Sequence, residues 1–294
     1  MRILHLSDTH LKRAVQPDSG RDDPRESLRR ILFDCRQVQN IDVVVVSGDI
    51  ADDGSPEAYT VARQLIGAFA HERQVPVIFS TGNHDERQAF TEILGNGHLD
   101  ATGANASANE FSSPDAERAA ISQVAGYRII TLDSLVPGSG YGLISPAQLD
   151  WLRAVLIDPA ERGTVLAFHH PPLALDVAVQ RALGLQNPAD LAAAIRGTDV
   201  QLILCGHFHL QIFGHLERTP VWVTPGVVSR IDLTAEAGTE RAVKGASATV
   251  VDLGGPHSPL LHVLHARDPQ VGETVYELDA DQLSAIITKL GPAR

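Results

Sequence analysis

Residues 41–50 read Ile-Asp-Val-Val-Val-Val-Ser-Gly-Asp-Ile, and the fold is decided by what this stretch becomes. Four consecutive valines, Val43 to Val46, are β-branched and apolar, which predicts a strand buried on both faces. Ser47 and Gly48 end the strand, and Asp49 stands at its carboxyl end. In open α/β sheets that end is where ligands bind. A carboxylate delivered there by a buried strand calls for a cation, because an unpaired buried charge is costly. Taken alone, Asp49 serves equally well as a helix cap.

Working outward, Arg2 to Leu6 forms a short apolar run followed by Ser-Asp8-Thr-His10. Asp23, Pro24 and Glu26 carry the N-cap, first-turn proline and capping-box pattern of a helix. Leu28, Ile31, Leu32, Cys35 and Val38 then recur at helical spacing. Ser55-Pro56 opens a second helix, and Val75 to Ser80 is a strand ending in Thr-Gly-Asn83-His84-Asp85. This alternation predicts a mostly parallel sheet. It breaks over residues 95–115, rich in Ala, Ser, Asn and Gly, which reads as a loop or a small cap-like insertion. Tyr127 to Leu132, Thr164 to Phe168 and Val200 to Cys205 resume as strands. Pro220 to Thr224, Ala246 to Leu253 and Leu260 to His265 follow as later strands of antiparallel character, and residues 279–290 as an amphipathic helix. The glycine-rich run Gly138 to Gly142 follows no strand and reads as a flexible loop, not a nucleotide fingerprint.

With 294 residues, 44% of them hydrophobic, the chain is long enough to bury a large core. A formal net charge of −12 argues against nucleic acid or an anionic membrane surface as partner. Cys35 and Cys205 form no metal or redox pair and read as buried free thiols of a reducing cytosol. The first eight residues are not expected to act as a signal peptide, nor any segment to span a membrane, so a cytoplasmic protein is expected. The sequence leaves room for a homo-oligomer.

Metal-ligand residue types collect at the strand ends: Asp8 and His10, Asp49, Asn83 to Asp85, His169, and His207 and His209. Asp8 and His10 are two apart, as are His207 and His209, so in extended chain each pair points one way. His169 and His170 are neighbours, so only one of them is expected to face the same centre. Carboxylate, imidazole and amide without thiolate suit manganese, iron, zinc or cobalt. Even seven ligands drawn from this set exceed one tetrahedral ion and suit two ions sharing a carboxylate. Two ions about 3.5–4 Å apart clamp the attacking and leaving oxygens of a phosphate ester. The remaining histidines, His5 and His98 among them, lack such an arrangement and read as structural or surface residues.

Asp8-x-His10, Gly48-Asp49, Gly82-Asn83-His84-Asp85, His169 and Gly206-His207-x-His209 resemble the signature of the calcineurin-like metallophosphoesterases. Within them the chain looks most like the class III cyclic nucleotide phosphodiesterases of the CpdA type. The resemblance covers roughly residues 1–255, and implies an α/β fold of two packed mixed β-sheets flanked by helices, a four-layer sandwich. On that reading residues 1–255 form the catalytic domain, and residues 256–294 add a strand and a helix. The first ion would be held by Asp8, His10, Asp49 and His209, the second by Asp49, Asn83, His169 and His207, with Asp49 the bridge. The ions would be divalent or mixed-valence, iron and manganese first, with zinc or cobalt as alternatives.

The purple acid phosphatases carry a tyrosine three residues after the bridging aspartate, where this chain has Asp52. The protein Ser/Thr phosphatases carry Asp-Arg-Gly nearby, where this chain has Asp52-Asp53-Gly54. The implied reaction is hydrolysis of 3′,5′-cyclic AMP to 5′-AMP by a metal-bound hydroxide. His84 would be the catalytic acid, and Asn83, His84, His10 and His209 would contact the substrate. A broader phosphodiesterase, acting for instance on glycerophosphodiesters, and a silent scaffold of the same fold are the alternatives.

Overall fold

The structure, a computed structural model, describes residues 1–13, 23–173 and 175–293. In chain order its first half comprises β1 (Arg2–Leu6), α1 (Pro24–Cys35), β2 (Val43–Ser47), α2 (Pro56–Arg73), β3 (Val77–Ser80), α3 (Arg87–Leu94), β4 (His98–Leu99), β5 (Asn109–Ser112), β6 (Arg118–Val124) and β7 (Tyr127–Thr131). Then come α4 (Pro146–Val155), β8 (Thr164–Ala167), α5 (Ala178–Leu183), α6 (Pro188–Ile195), β9 (Val200–Cys205), β10 (Ile212–Leu216) and β11 (Thr219–Val223). The last elements are β12 (Arg230–Asp232), β13 (Glu240–Val243), β14 (Ser247–Asp252), β15 (Leu260–His265), β16 (Thr274–Leu278) and α7 (Ala280–Leu290).

Two mixed sheets carry the fold. One runs β15-β14-β1-β2-β3-β4 and the other β10-β11-β9-β8-β7-β6-β5. β1, β2 and β3 are parallel, as are β7, β8, β9 and β11. The valine run explains why the sheets stack. Val43 and Val45 point into the core between the sheets with Ile3, Ile129, Val165 and Leu204. Val44 and Val46 point the other way, into the layer under α1 and α2 with Leu28, Ile31, Tyr59 and Ile66. The opposite sheet buries its outer face under α4 and α6 through Leu149, Leu152 and Leu191. A strand two residues out of register would still be apolar, but an odd slip would aim Asp49 away from the strand ends it joins.

Several expectations are corrected. Residues 95–115 are not a structureless insertion: they supply β4 at an edge of the first sheet and β5 at an edge of the second. The strand at 219–223 is parallel to β9, and antiparallel only to β10. Gly138 to Gly142 is tied down, since the Gly140 N–H donates to the Leu290 carbonyl at 2.9 Å and Gly142 bridges to Leu135 and Leu185. A separate three-stranded sheet, β12-β13-β16, was not foreseen. Beyond residue 255, β15 continues the first sheet by pairing with β14 along its whole length, and β16 joins the third. Cys35 and Cys205 are buried and free. His98 is buried between Ser122 and Thr131, and His5 against Ser47, so both are structural as expected. No helix among the described residues is long and apolar enough to cross a membrane.

Candidate metal centre

The parallel strands of both sheets end on one side of the molecule, and the backbone ties those ends together. The Asp8 N–H donates to the Gly48 carbonyl at 3.1 Å, and the Gly206 N–H to the His169 carbonyl at 3.1 Å. Across the sheets, Val227 and Val228 donate to the carbonyls of Ser7 and Asp8, each at 3.0 Å. The eight expected residues therefore meet in one place: Asp8, His10, Asp49, Asn83, His84, His169, His207 and His209.

They meet through an unusual backbone, not through extended chain. Asp8, His10, Asp49, His207 and His209 all have left-handed conformations, with φ of 57°, 43°, 48°, 76° and 50°. Non-glycine residues there cost about 1–3 kcal/mol each and persist only where the surroundings hold them. The i, i+2 argument for Asp8 with His10 is thus corrected in its reason though not in its result. For His207 and His209 the result changes as well: His209 joins Asp8 and His10, whereas His207 joins His169 and His170. Asn83 and His84 lie in a turn closed by the Asp85 N–H on the Gly82 carbonyl at 3.3 Å, again not extended chain.

Two glycines are required by close approach. Gly48, at φ 90°, faces His169, and a Cβ there would run into the imidazole. A Cβ on Gly82 would overlap the Asp49 carboxylate.

The donor set has two halves around Asp49. In the first, His209 Nε2 is 3.4 Å from Asp8 Oδ1, and His10 Nε2 is 3.5 Å from Asp49 Oδ2. In the second, His169 Nε2 is 3.2 Å from Asp49 Oδ2 and 3.9 Å from Asp8 Oδ1. Tautomers follow from the other ring nitrogens. His169 Nδ1 lies 2.8 Å from the Ser47 carbonyl, which can only accept, so Nδ1 carries a proton, and Nε2 is left to hold a second proton against Asp49 or to give its lone pair to a cation. His10 Nδ1 lies 2.9 Å from Asp52 Oδ1, with the same consequence. His10 Nε2 then faces His209 Nε2 at 3.2 Å.

Asn83 Oδ1, His169 Nε2 and His207 Nε2 are buried without a hydrogen-bond partner. Buried acceptors left this way are rare and costly, and lone pairs converging on two buried carboxylates fit divalent cations. Among the described residues, four such groupings hold potential metal donors, and Asp49 belongs to two of them.

Charge tells the same story. Burial opposes the Asp8 carboxylate, but the His209 and His169 imidazoles outweigh it and hold the acid down to about 2. Asp49 is also held well below its ordinary value, against burial, by His169, His84 and His10. Conversely, Asp49 and Asp8 overcome burial at His169 and push its pKa up to about 9. A cation seated between those groups takes the place of that proton. Burial, aided by His169, pushes His207 down to about 3, so it stays a neutral donor.

His170 is a correction. The strand ends at Ala167 and the chain bends, so both imidazoles turn inward. The His170 ring centroid is 4.6 Å from that of His207 and 5.0 Å from that of His169, with Nδ1 2.8 Å from Ser134 Oγ.

Two supporting roles escaped the sequence reading, although Asp85 itself stood among the strand-end candidates. Asp52 grips His10, accepts from Lys12 Nζ at 2.9 Å, and through its carbonyl accepts from His84 Nδ1 at 3.2 Å. Asp85 accepts from the N–H groups of Gly82, Ile50 and Ala51 at 2.8, 3.2 and 2.9 Å, and from the Tyr59 hydroxyl at 3.0 Å. It clamps the turn after β3 to the loop after β2. Their proximity in sequence to Asp49 and Asn83 was the available signal.

His84 is exposed and binds through its N–H to Asp49 Oδ1 at 2.9 Å; its ring sits edge-on to His10 at 4.8 Å. It opens onto a cavity of about 700 Å³. The strand-end cluster lines one side, and β13, β16 and α7 line the other through Glu240, Tyr276, Leu278, Leu283 and Leu290.

Comparison with known proteins follows this geometry. A family model described as calcineurin-like phosphoesterase matches residues 1–211. The chain is 36% identical to a cAMP/cGMP dual specificity phosphodiesterase of Mycobacterium tuberculosis, over 83% of this chain and 73% of that one. It is 29% identical to a glycerophosphodiester phosphodiesterase of Enterobacter lignolyticus, over 79% of each. A purple acid phosphatase from yellow lupin shares the fold, with a TM-score of 0.54 at 16% identity, covering 100% of this chain and 56% of that one.

Proposed function

The chain belongs to the calcineurin-like phosphoesterase family of metal-dependent hydrolases, and from that premise we propose that it hydrolyses 3′,5′-cyclic AMP to 5′-AMP. The observation that carries this reading is the pair of half-sites sharing Asp49, with unpartnered buried donors on Asn83, His169 and His207, at the floor of a cavity large enough for a nucleotide. The M. tuberculosis relative, named for cyclic nucleotides, supports the substrate class. One ion would be held by Asp8, His10, Asp49 and His209, and the other by Asp49, Asn83, His169 and His207. Iron and manganese suit this donor set, as do zinc and cobalt. Bound there, two divalent ions supply Lewis acidity and lower the pKa of water.

The chain's own groups do the rest. His10, His209 and Asn83 surround the reacting phosphate. His84 has Nδ1 committed to the Asp52 carbonyl, which leaves Nε2 for the cavity. The water oxygen bonds to phosphorus as the bond to the 3′-oxygen breaks; His84 Nε2–H gives that oxygen its proton, and the proton released by the attacking water replaces it. Buried free thiols at Cys35 and Cys205 suit a reducing cytosol, where this substrate is found.

A second reading, hydrolysis of glycerophosphodiesters, is favoured by the E. lignolyticus relative. The test is a hydrolysis panel on the manganese-loaded protein: cyclic AMP, cyclic GMP, 2′,3′-cyclic nucleotides and glycerophosphodiesters. The proposal expects the highest kcat/KM for a 3′,5′-cyclic nucleotide, with 5′-AMP as the product of cyclic AMP. Faster turnover of glycerophosphodiesters transfers the assignment to the second reading. No turnover of any diester by protein that retains its ions leaves a scaffold.

A further inference from the structure

The wall of the cavity that faces the metal centre is built by the three-stranded sheet and α7. Glu240 pairs in register with Leu278 and Ala242 with Tyr276, so these four residues share one face of β13 and β16. Glu240, Tyr276 and Leu278 line the cavity from that face, and Leu283, Ile286 and Leu290 of α7 extend it as an aliphatic surface. None of the α7 residues is fully buried; its apolar side is shared between α5 and this cavity.

Two carboxylates stand on this wall, and they differ. Glu273 is paired with Lys244 Nζ at 3.1 Å. Among the described residues Glu240 has no cation within ion-pairing distance, and its one side-chain contact is the Tyr276 hydroxyl, which donates to Oε1 at 3.4 Å. A half-buried carboxylate beside leucines is unfavourable unless it is given hydrogen-bond donors, and an ionised carboxylate can only accept. Besides Tyr276, His209 across the cavity acts on its charge, and a substrate bound in the cavity can bring a further donor.

We propose that Glu240, braced by Tyr276, selects the base of the substrate by accepting a hydrogen bond from an exocyclic amino group, against the aliphatic surface of α7. A ring carbonyl at the same position meets the carboxylate with like partial charge and is rejected, so the wall favours a 6-amino over a 6-oxo purine. This deepens the cyclic nucleotide reading and rests on it.

The experiment compares kcat/KM for cyclic AMP and for cyclic IMP, its 6-oxo counterpart, in manganese-loaded full-length protein, wild type, Glu240→Gln and Glu240→Leu. A hydrogen bond to a charged group discriminates by about ten- to a hundredfold, so the wild type should prefer cyclic AMP by that factor. Glu240→Gln is isosteric and its amide can donate to the oxo group, so the ratio should fall toward one, as it should in Glu240→Leu. A wild-type ratio near one, or a ratio unchanged in the folded Glu240→Gln protein, overturns the inference while leaving the phosphodiesterase reading intact. Absence of turnover of both cyclic nucleotides by the wild type removes that reading, and the inference with it.

Discussion

At His84, chemistry and position can be separated by the choice of leaving group. An alkoxide leaving from ribose needs a proton, whereas a nitrophenolate hardly does. A positioned general acid is worth about 10²–10⁴ in rate. His84→Ala should therefore keep its ions, lose about that factor on cyclic AMP, and lose much less on bis-nitrophenyl phosphate. Equal losses on both substrates would mean that His84 only braces the turn through its bond to Asp49. Asp52 acts through another residue: its carboxylate fixes the proton on His10 Nδ1, which would leave Nε2 for an ion. Such partners typically set ion affinity by about 10–100-fold. Asp52→Ala should weaken one ion by that factor in a metal titration, and unchanged affinity for both ions would contradict the role. The candidate cluster was legible because each of its residues stands at the end of an apolar strand. The backbone that gathers them was not, since aspartate and histidine adopt positive φ more often than most residues but still only occasionally. His170 was misjudged for the same reason, because a bend replaced the extended chain that would have turned it away.

Among the elements, α7 offers the sharpest test, because it touches the cavity without belonging to the metal cluster. Its capping box on Asp279 and Gln282 makes it a well-formed helix, and among the described residues its backbone tie to the rest is the Leu290 carbonyl accepting from Gly140. Removing the chain from Asp279 onward strips several aliphatic side chains from the wall. One apolar contact in a pocket is worth about tenfold or more, so KM for cyclic AMP should rise at least that much, with a smaller change in kcat. An unchanged KM would leave α7 as a packing element. Strands with β-branched runs, such as β2, β8 and β9, were readable with errors of a residue or two at their ends. β5, β12, β13 and β16 were not: β16 exposes four of its five residues, so it has no apolar stripe to read. α3 was hidden by brevity and by a glutamate, Glu86, at its N-cap in place of the usual serine or aspartate.

For the whole molecule, the two sheets are locked by charges that one set of cations would satisfy. In ion-free protein the raised pKa of His169 means the folded state holds a proton that the unfolded chain gives up above its ordinary value of 6.5. The stability from that proton is complete below 6.5 and is lost as pH rises through about 9. A divalent ion must displace it, so ion affinity should climb by about tenfold per pH unit between pH 7 and pH 9, with release of at least one proton. Affinity independent of pH over that range would contradict the competition. The two-sheet plan was legible from the alternation of buried strands with capped helices, whereas the third sheet, which closes the cavity, was not. The account as a whole stands on Asp49 serving both halves of the centre. Counting ions in purified wild type, Asp49→Ala and Asn83→Ala tests this most directly. The prediction is two per chain in the wild type, one in Asn83→Ala, and loss at both positions in Asp49→Ala; two ions retained by folded Asp49→Ala would contradict it.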